Sequence, residues 1–267
     1  MHYGAAWALI MLVGLAASPA HAAWPQPKGE ALIITSLSHY RADTRFDAFG
    51  LRAADRGYRK QELSVYGVYG LTGYLTLGAQ PVYAQIYAKR ASGTASERTN
   101  GLTSVELFAR QRIVTGSNWI FSTQALVKLP GNTAAGREPL VDASNKDAEG
   151  RLLYGSSGRL FGRDYFSVAE AAYRARSNGA SDQIRADATF GIRPWSKWQL
   201  IAQNFSTIAI TQRQSAGPEN FDLYKAQLSV LHDLPHGRSV QLGGFSEYAG
   251  RNTGAGNGLF VALWSRF

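Results

Sequence analysis

Cysteine is absent from the chain, and methionine is nearly so. The 267 residues include no Cys, and Met1 and Met11 are the only methionines. The lack of cysteine excludes disulfide scaffolds, thiolate zinc sites, cysteine nucleophiles and a lipid anchor on an N-terminal cysteine.

Charge and long apolar runs are also scarce. Charged residues make up 18% of the chain, against 45% hydrophobic and 12% aromatic residues, which excludes a disordered polypeptide. After residue 20, no run approaches the roughly 18 uncharged apolar residues that a membrane-spanning helix needs. Helical periodicity is almost missing too, so the chain is predicted to be neither a helical membrane protein nor a helical bundle.

The N-terminus has the features of a targeting segment. Residues 5–17 form a short apolar run that is interrupted at 18–19. The Ala-His-Ala motif at 20–22 then resembles a leader-peptidase site, although no Lys or Arg precedes the apolar run. The run is too short for a membrane anchor, so we expect a signal peptide over residues 1–22 and a mature domain over 23–267.

The mature chain contains many stretches of about ten residues with period-2 alternation. Their Val, Ile, Leu, Tyr and Phe content is typical of strands. We predict twelve strands, at residues 30–40, 59–70, 75–89, 101–114, 119–129, 150–160, 165–176, 183–193, 198–211, 221–234, 239–249 and 258–267.

The connections between these strands alternate strictly between two lengths. Five are tight and carry Gly or Pro with polar residues, at 71–74, 115–118, 161–164, 194–197 and 235–238. Six are longer and polar, at 41–58, 90–100, 130–149, 177–182, 212–220 and 250–257. Outer-membrane β-barrels alternate short periplasmic turns with longer extracellular loops. The predicted fold is therefore all-β: a single antiparallel transmembrane barrel of about twelve strands, with both termini periplasmic.

The two faces of the predicted strands differ in polarity. In 183–193, for example, Ile184, Ala186 and Phe190 alternate with Arg185 and Asp187. The apolar faces are smooth and uncharged, as a lipid-facing surface must be. Aromatic residues near strand ends predict interfacial girdles, and they are Tyr74, Trp119, Tyr165, Trp195, Trp198, Trp264 and Phe267.

Two resemblances support an outer-membrane barrel. The final strand, Leu259-Phe260-Val261-Ala262-Leu263-Trp264-Ser265-Arg266-Phe267, resembles the terminal signature of bacterial outer-membrane barrels, except at Ser265, where an aromatic is more usual. That resemblance implies recognition of Phe267 by the barrel-assembly machinery of a Gram-negative cell. The segments at 23–30 and 66–78 resemble small barrels described as outer-membrane transporters of the phenol-degradation type, some of them encoded beside exopolysaccharide genes. This second resemblance implies a barrel more firmly than it implies a substrate.

The polar faces contain many arginines, which predicts a charged lumen. The predicted pore-lining residues are Glu106, Arg110, Arg112, Arg151, Glu170, Arg174, Arg176, Arg185, Asp187 and Arg193, with Arg159 as a further candidate. A simple hairpin around 177–182 places Arg174 opposite Arg185, a like-charge pair that suits a wet lumen or an anionic ligand. We therefore expect a porin-like channel for small or linear polar solutes, preferring anions or saccharides. The first loop, at 41–58, or the 130–149 loop is expected to fold inward and constrict the pore.

A plugged barrel that serves only as an anchor or adhesin is the main alternative. An Arg/Glu/Asp network with Phe108, Phe245 and Phe260 would then close the interior. An outer-membrane lipid hydrolase is a weaker alternative, because its chemistry needs an activating base and the mature chain has only His39, His232 and His236. No Ser-His-acid spacing is evident, so an enzyme is not expected. A cofactor is not expected either. A nucleic acid partner is not expected, because no recognised nucleic-acid-binding module or single basic patch is present.

Basic residues in the predicted loops suggest contact with the phosphorylated lipopolysaccharide of the outer leaflet. They are Arg41, Arg45, Arg52, Arg56, Arg90, Arg98, Arg137 and Arg213. A merely solvated basic face is an equally simple interpretation. Asp142, Asn145, Asp147 and Glu149 offer oxygen ligands for calcium but lack the spacing of a defined calcium loop.

Overall fold

A computed structural model describes residues 23–89, 96–131, 146–211 and 220–267 of the chain. All of the regular secondary structure in these ranges is β-strand. No helix in them is long and apolar enough to cross a membrane. The signal-peptide prediction for residues 1–22 falls outside the described residues, as do Asp142, Asn145 and the loop arginines Arg90, Arg137 and Arg213.

Twelve long strands and one two-residue strand make up the fold. They are β1 (Ala31–Phe46), β2 (Arg52–Gly70), β3 (Leu75–Lys89), β4 (Ser96–Thr115), β5 (Trp119–Pro130), β6 (Asp147–Leu160), β7 (Arg163–Arg176), β8 (Gln183–Trp195), β9 (Trp198–Ala209), β10 (Asp222–Asp233), β11 (Arg238–Arg251), β12 (Thr253–Gly254) and β13 (Asn257–Arg266).

The strands close into one antiparallel barrel. Each long strand pairs with its neighbours in sequence, and β1 pairs with both β2 and β13. The seam runs from Leu32 opposite Arg266 to Arg41 opposite Asn257. Ala31 and Phe267 exchange backbone hydrogen bonds in both directions. The start of β1 and the end of β13 therefore lie at the same barrel end. The predicted all-β, twelve-stranded antiparallel barrel is confirmed.

The five tight connections lie where they were predicted, at the barrel end that holds Ala31 and Phe267. We call this the short-turn end and the opposite one the long-loop end. The predicted first loop at 41–58 is wrong, because β1 and β2 continue through most of it and leave only residues 47–51 as a turn. Arg41, Arg45, Arg52 and Arg56 therefore lie in strands rather than in a loop, and this connection does not fold inward. The 130–149 loop is mostly outside the described residues.

Side chains alternate between the inside and the outside of the wall. In β8, Arg185, Asp187 and Thr189 are buried inside, while Ile184 and Phe190 are exposed on the outer face. The outer face continues with exposed apolar side chains such as Leu152, Leu228 and Leu259. Because only lipid covers such a surface without a free-energy penalty, the outer face has the properties of a bilayer-spanning wall.

Most of the predicted interfacial aromatics do lie outside, at the short-turn end. Trp195, for example, is 63% exposed and Tyr74 is 53% exposed. Trp264 is the exception: it is 1% exposed, points inward, and donates a hydrogen bond from Nε1 to Gln241. Its position in β13 explains the correction, because Leu259, Val261 and Leu263 occupy the outward parity of that strand.

Several inward aromatic rings lie flat on glycines of the neighbouring strand. A Cβ on Gly78 would approach the Phe108 ring to 2.2 Å, and one on Gly191 would approach the Phe166 ring to 1.9 Å. Phe245 covers Gly258 and Phe260 covers Gly243 in the same way. These rings pack along the wall, a known way of covering strand glycines, so they do not project across the lumen as the plugged-barrel alternative required.

Candidate functional site in the barrel interior

The chain before β1 enters the barrel at the short-turn end. Ala23 is fully buried, and its carbonyl oxygen accepts a hydrogen bond from the Ser122 hydroxyl at 2.7 Å. The Gln26 backbone N–H donates to Thr76 Oγ1 at 2.9 Å. Trp24 packs against Gly155, where a Cβ would meet the indole ring at 2.6 Å. Residues 23–26, which we call the N-terminal insert, thus occupy part of the interior.

An apolar cluster surrounds the N-terminal insert. It includes Ile34, Val68, Ile120, Leu153 and Trp264, all nearly inaccessible to water, with Trp24 packed against them. This apolar cluster lines the short-turn half of the interior around the insert. A solute crossing the barrel must therefore pass beside it or displace the insert.

The central interior holds most of the predicted pore-lining residues. Arg110, Arg151, Glu170, Arg174, Arg185 and Asp187 are each less than 9% exposed, and Arg176 and Glu106 join them through ion pairs.

Glu149 is the centre of this charged network. It accepts hydrogen bonds from Arg151 Nε at 2.9 Å, from Arg174 Nε at 2.8 Å and from Arg185 at 3.2 Å. Its carboxylate is completely buried, so three guanidinium groups take the place of water around it. Glu149 and Asp147 were expected in a loop, where they offered oxygen ligands for calcium without a defined spacing, but both lie in β6 and face inward.

Arg151 links this centre to two more carboxylates. One of its terminal nitrogens contacts Asp187 at 2.9 Å and also donates to Glu170. Arg174 extends the network to Glu106 at 3.0 Å. Ion pairs join four arginines to five acids: Arg151, Arg174, Arg176 and Arg185 with Glu106, Asp147, Glu149, Glu170 and Asp187. Arg110 lies beside them and donates to Gln124 at 2.9 Å and to Tyr66 at 3.4 Å. When Arg110 is counted with this network, the formal charges balance, which strand alternation alone did not predict.

The predicted pairing of Arg174 with Arg185 is wrong. Arg174 lies opposite Gln183, and Arg185 lies opposite Ala172. The hairpin is asymmetric because the Asp182 carboxylate accepts a hydrogen bond from the Arg176 backbone N–H at 2.9 Å. The two arginines are therefore diagonal neighbours, and Glu149 lies between their charges.

Three other arginine candidates lie near the short-turn rim. Arg112 is half-buried, and Arg193 pairs with Asp233 at 2.6 Å while its side chain stays 30% exposed. Arg159 lies at the rim itself, with a 78% exposed side chain that contacts Asp164 at 3.2 Å. It is thus not an interior residue, because the end of β6 after Gly155 is no longer buried in the barrel.

A second charged cluster, which the sequence analysis missed, lies on the other side of the interior. Lys60 pairs with Glu62, and Tyr40 donates a hydrogen bond to Glu247. Lys225 faces the rings of Phe205, 4.6 Å from its nitrogen, and Phe245. The alternation of 221–234 already places Lys225 on the polar face, so that signal was present in the sequence.

Amide side chains continue the polar lining around the wall. Gln227 donates to Gln203 at 2.8 Å, and Gln203 donates to Thr189 at 3.2 Å. Gln241 donates to Ser229 at 2.8 Å. Together with Trp264 these residues form what we call the amide band, which runs from β8 to β13. The network and the amide band thus surround the middle of the interior from β4 to β13.

A small cavity of about 40 Å³ lies within the charged network. Tyr66, Gln80, Arg110, Arg151 and Glu170 contribute to its walls. Its volume suits one or two water molecules rather than a solute. At this point the side chains of the network are closely packed around the cavity.

The histidines do not form a hydrolase site in the described part of the chain. His39 is outward and exposed on β1, and His236 lies in a tight turn with φ of 61°. The His232 ring lies 4.2 Å from the Trp198 ring, and its Nδ1 has no hydrogen-bond partner there. Nor do the described His, Asp and Glu residues include three placed to hold one metal ion.

Comparison with known proteins gives structural but not sequence matches. No protein-family model and no curated protein sequence matches the chain. Among solved structures, the chain is similar to an outer-membrane channel from Pseudomonas putida F1, with 14% identity and a TM-score of 0.72 over 92% of this chain and 98% of that one. The KdgM porin matches at 8% identity and 0.53 over 88% and 99%, and the NanC porin at 7% and 0.54 over 86% and 98%. The chain thus has the fold of outer-membrane channel barrels.

Proposed function

We propose that the protein is an outer-membrane channel for small or linear polar solutes. One observation carries the proposal: charged and amide side chains surround the middle of the interior from β4 to β13. A barrel that needed only a stable core would be filled more simply by apolar side chains, because buried polar groups add little or no net stability. Polar groups kept inside a barrel are instead what a hydrated solute requires.

We further propose that the preferred solutes are saccharides or anions. Glutamine amides and arginine guanidinium groups donate and accept in geometries that suit hydroxyl and carboxylate groups. One solved neighbour, the KdgM porin, has been captured with an oligogalacturonate, an acidic saccharide. Because the formal charges of the network balance when Arg110 is counted, we propose a modest anion preference rather than a strong one. The proposed solutes include an exopolysaccharide or a phenol-pathway compound.

The outer membrane is the proposed location, with both termini in the periplasm. The apolar outer wall supports membrane insertion, and the short-turn end holds both terminal strands, as in outer-membrane barrels. The exposed ring of Phe267 is the proposed contact for the barrel-assembly machinery. Burial of Ala23 inside the barrel supports cleavage of a signal peptide just before it.

A plugged anchor is the second candidate function. The observation that favours it is the near-complete burial of the charged network, together with the N-terminal insert below it. A channel with this interior must open by moving the insert or the network. The two functions therefore differ in one measurable property, ion flow across a bilayer.

The decisive experiment is single-channel recording of the purified barrel in a planar bilayer with a salt gradient. The proposal predicts discrete openings and a reversal potential on the anion side. Arg174→Ala and Arg185→Gln should shift that potential toward cations, because each leaves the network with an excess acid. Arg159→Ala is the matched control, since Arg159 lies outside the interior. A folded, heat-modifiable barrel that never conducts, with or without the N-terminal insert, would support the anchor.

A further inference from the structure

The outer wall of β1–β4 carries a row of arginines toward the long-loop end. Arg41 lies directly opposite Arg59, Arg59 lies opposite Tyr87, and Tyr87 lies opposite Arg98. All three arginines are exposed and share the outward face. We call Arg41, Arg59 and Arg98 the arginine row. Arg59 was not among the basic residues that the sequence analysis assigned to loops.

The arginine row is positioned just beyond the apolar outer band. Below it, Leu37, Leu63 and Tyr83 form an exposed row of neighbouring pairs, with 54%, 43% and 44% exposure. A row of polar side chains separates the two, with Gln61 opposite both His39 and Gln85. Four residues of strand span about 13 Å, and strand tilt shortens that height. The guanidinium groups therefore reach the depth of lipid headgroups.

The chemistry of the row is that of an anion site. Arg41 and Arg59 are like charges at directly opposed positions, which is unfavourable unless an anion lies between them. Asp43 partly compensates Arg41 at 2.7 Å, but Arg59 has no ion-pair partner within the ranges that the structure describes. Arg98 stacks over the Tyr87 ring at 5.4 Å, which uses the face of the guanidinium and leaves its N–H edge for an acceptor.

We infer that the arginine row binds the phosphate groups of a phosphorylated glycolipid of the outer leaflet, namely lipid A. The apolar row beneath it contacts the acyl chains of the same molecule. Adjacent strands lie about 4.8 Å apart, so the row spreads its charges over roughly 14 Å, enough to contact more than one phosphate. This inference rests on the proposed function only for orientation, since it requires the long-loop end to face the outer leaflet.

The test is binding of defined lipids to the purified full-length barrel in detergent, followed by native mass spectrometry. The probes are diphosphorylated lipid A and the same lipid with both phosphates removed. The row variant is Arg41→Gln/Arg59→Gln/Arg98→Gln. The control variant is Arg159→Gln/Arg163→Gln/Arg238→Gln, which removes three exposed arginines from the short-turn end.

The row variant should bind diphosphorylated lipid A about tenfold more weakly than the parent protein, because each exposed charge contact contributes only a few-fold. The control variant should bind diphosphorylated lipid A as tightly as the parent protein does. The dephosphorylated lipid should bind weakly to the parent protein and to both variants. Equal losses in both variants, or equal binding of both lipids, would overturn the inference. Conductance in a phosphatidylcholine bilayer, which holds no lipid A, should be the same for the row variant and the parent, so a failed channel proposal is seen separately.

Discussion

At the residue scale, one carboxylate organises the charged interior. The Glu149 carboxylate pairs with three buried arginines that would otherwise repel one another. Such a group is costly to remove, because its partners remain buried after the carboxylate is gone. The residue thus couples the stability of the barrel to the electrostatics of its interior.

Glu149→Gln should lower the free energy of unfolding by about 3 kcal/mol, the typical cost of breaking a buried ion pair. Urea unfolding in lipid vesicles, followed by the heat-modifiable shift on gels, measures this loss. Glu30→Gln, at an exposed position, is the control and should change little. An unchanged midpoint for Glu149→Gln would mean that the network is hydrated and contributes no net stability.

A second feature at the residue scale is the close packing of aromatic rings on glycines of the neighbouring strand. Gly191→Ala should destabilise the barrel by about 1–3 kcal/mol, because the new methyl group overlaps the Phe166 ring. Gly150→Ala is the matched control: Gly150 also lies in a strand, but nothing stands within 4 Å of its added Cβ. The same unfolding assay compares them, and equal midpoints would show that the ring moves freely.

At the element scale, the N-terminal insert is the one described segment inside the barrel that is not part of the wall. Its contacts include the hydrogen bonds from Ser122 and to Thr76 and the packing of Trp24, but it is not part of the ladder between strands. A segment outside that ladder opens at a lower free-energy cost than the wall does. The insert is therefore the natural moving part of the proposed channel.

Trp24→Ala should increase conductance or the fraction of time spent open, because it removes the largest contact of the insert. Deletion of residues 23–26 with the leader retained should increase it further. Single-channel recordings at one voltage compare both with the parent, and Trp195→Ala, on the outer face, serves as control. Conductance that is identical in all four proteins would assign the constriction to the charged network alone.

The sequence predicts elements well where lipid imposes a rule on them. Inside the bilayer, outward side chains must be apolar, so period-2 alternation reveals both the strands and their faces. Beyond the bilayer that requirement ends, and residues 41–58 show no clear alternation although most of them are strand. Partners such as Glu106 and Arg174 meet across three strands, which no local pattern encodes. The tight turns were predictable from their Gly and Pro; the asymmetric hairpin at Asp182 was not, because a side chain replaces a strand pair there.

At the scale of the whole molecule, the two ends of the barrel differ in chemistry. The short-turn end has the aromatic girdle and the terminal strands, and the long-loop end has the arginine row. This difference between the two ends fits a membrane whose two leaflets differ in charge. The proposed orientation follows from it and can be tested directly, because the chain has no cysteine of its own.

Phe49→Cys should react with a membrane-impermeant maleimide on intact cells, and Phe161→Cys should not. The two side chains are almost equally exposed, at 88% and 90%, and lie at opposite ends of the barrel. Labelling after the cells are broken is the control, since both cysteines should then react. The reverse pattern on intact cells would invert the topology and remove the basis for lipid A binding at the arginine row.

The β1–β13 seam also constrains the order in which the protein can be made. Every other long-strand pairing joins consecutive segments and can form as hairpins while the chain emerges. The seam joins strands separated by almost the whole sequence, so β1 keeps an unpaired edge until the last residues arrive. An open edge of that kind invites association with other chains. The edge of β1 must therefore be protected from other chains until the ten-residue strand β13 has been synthesised and delivered.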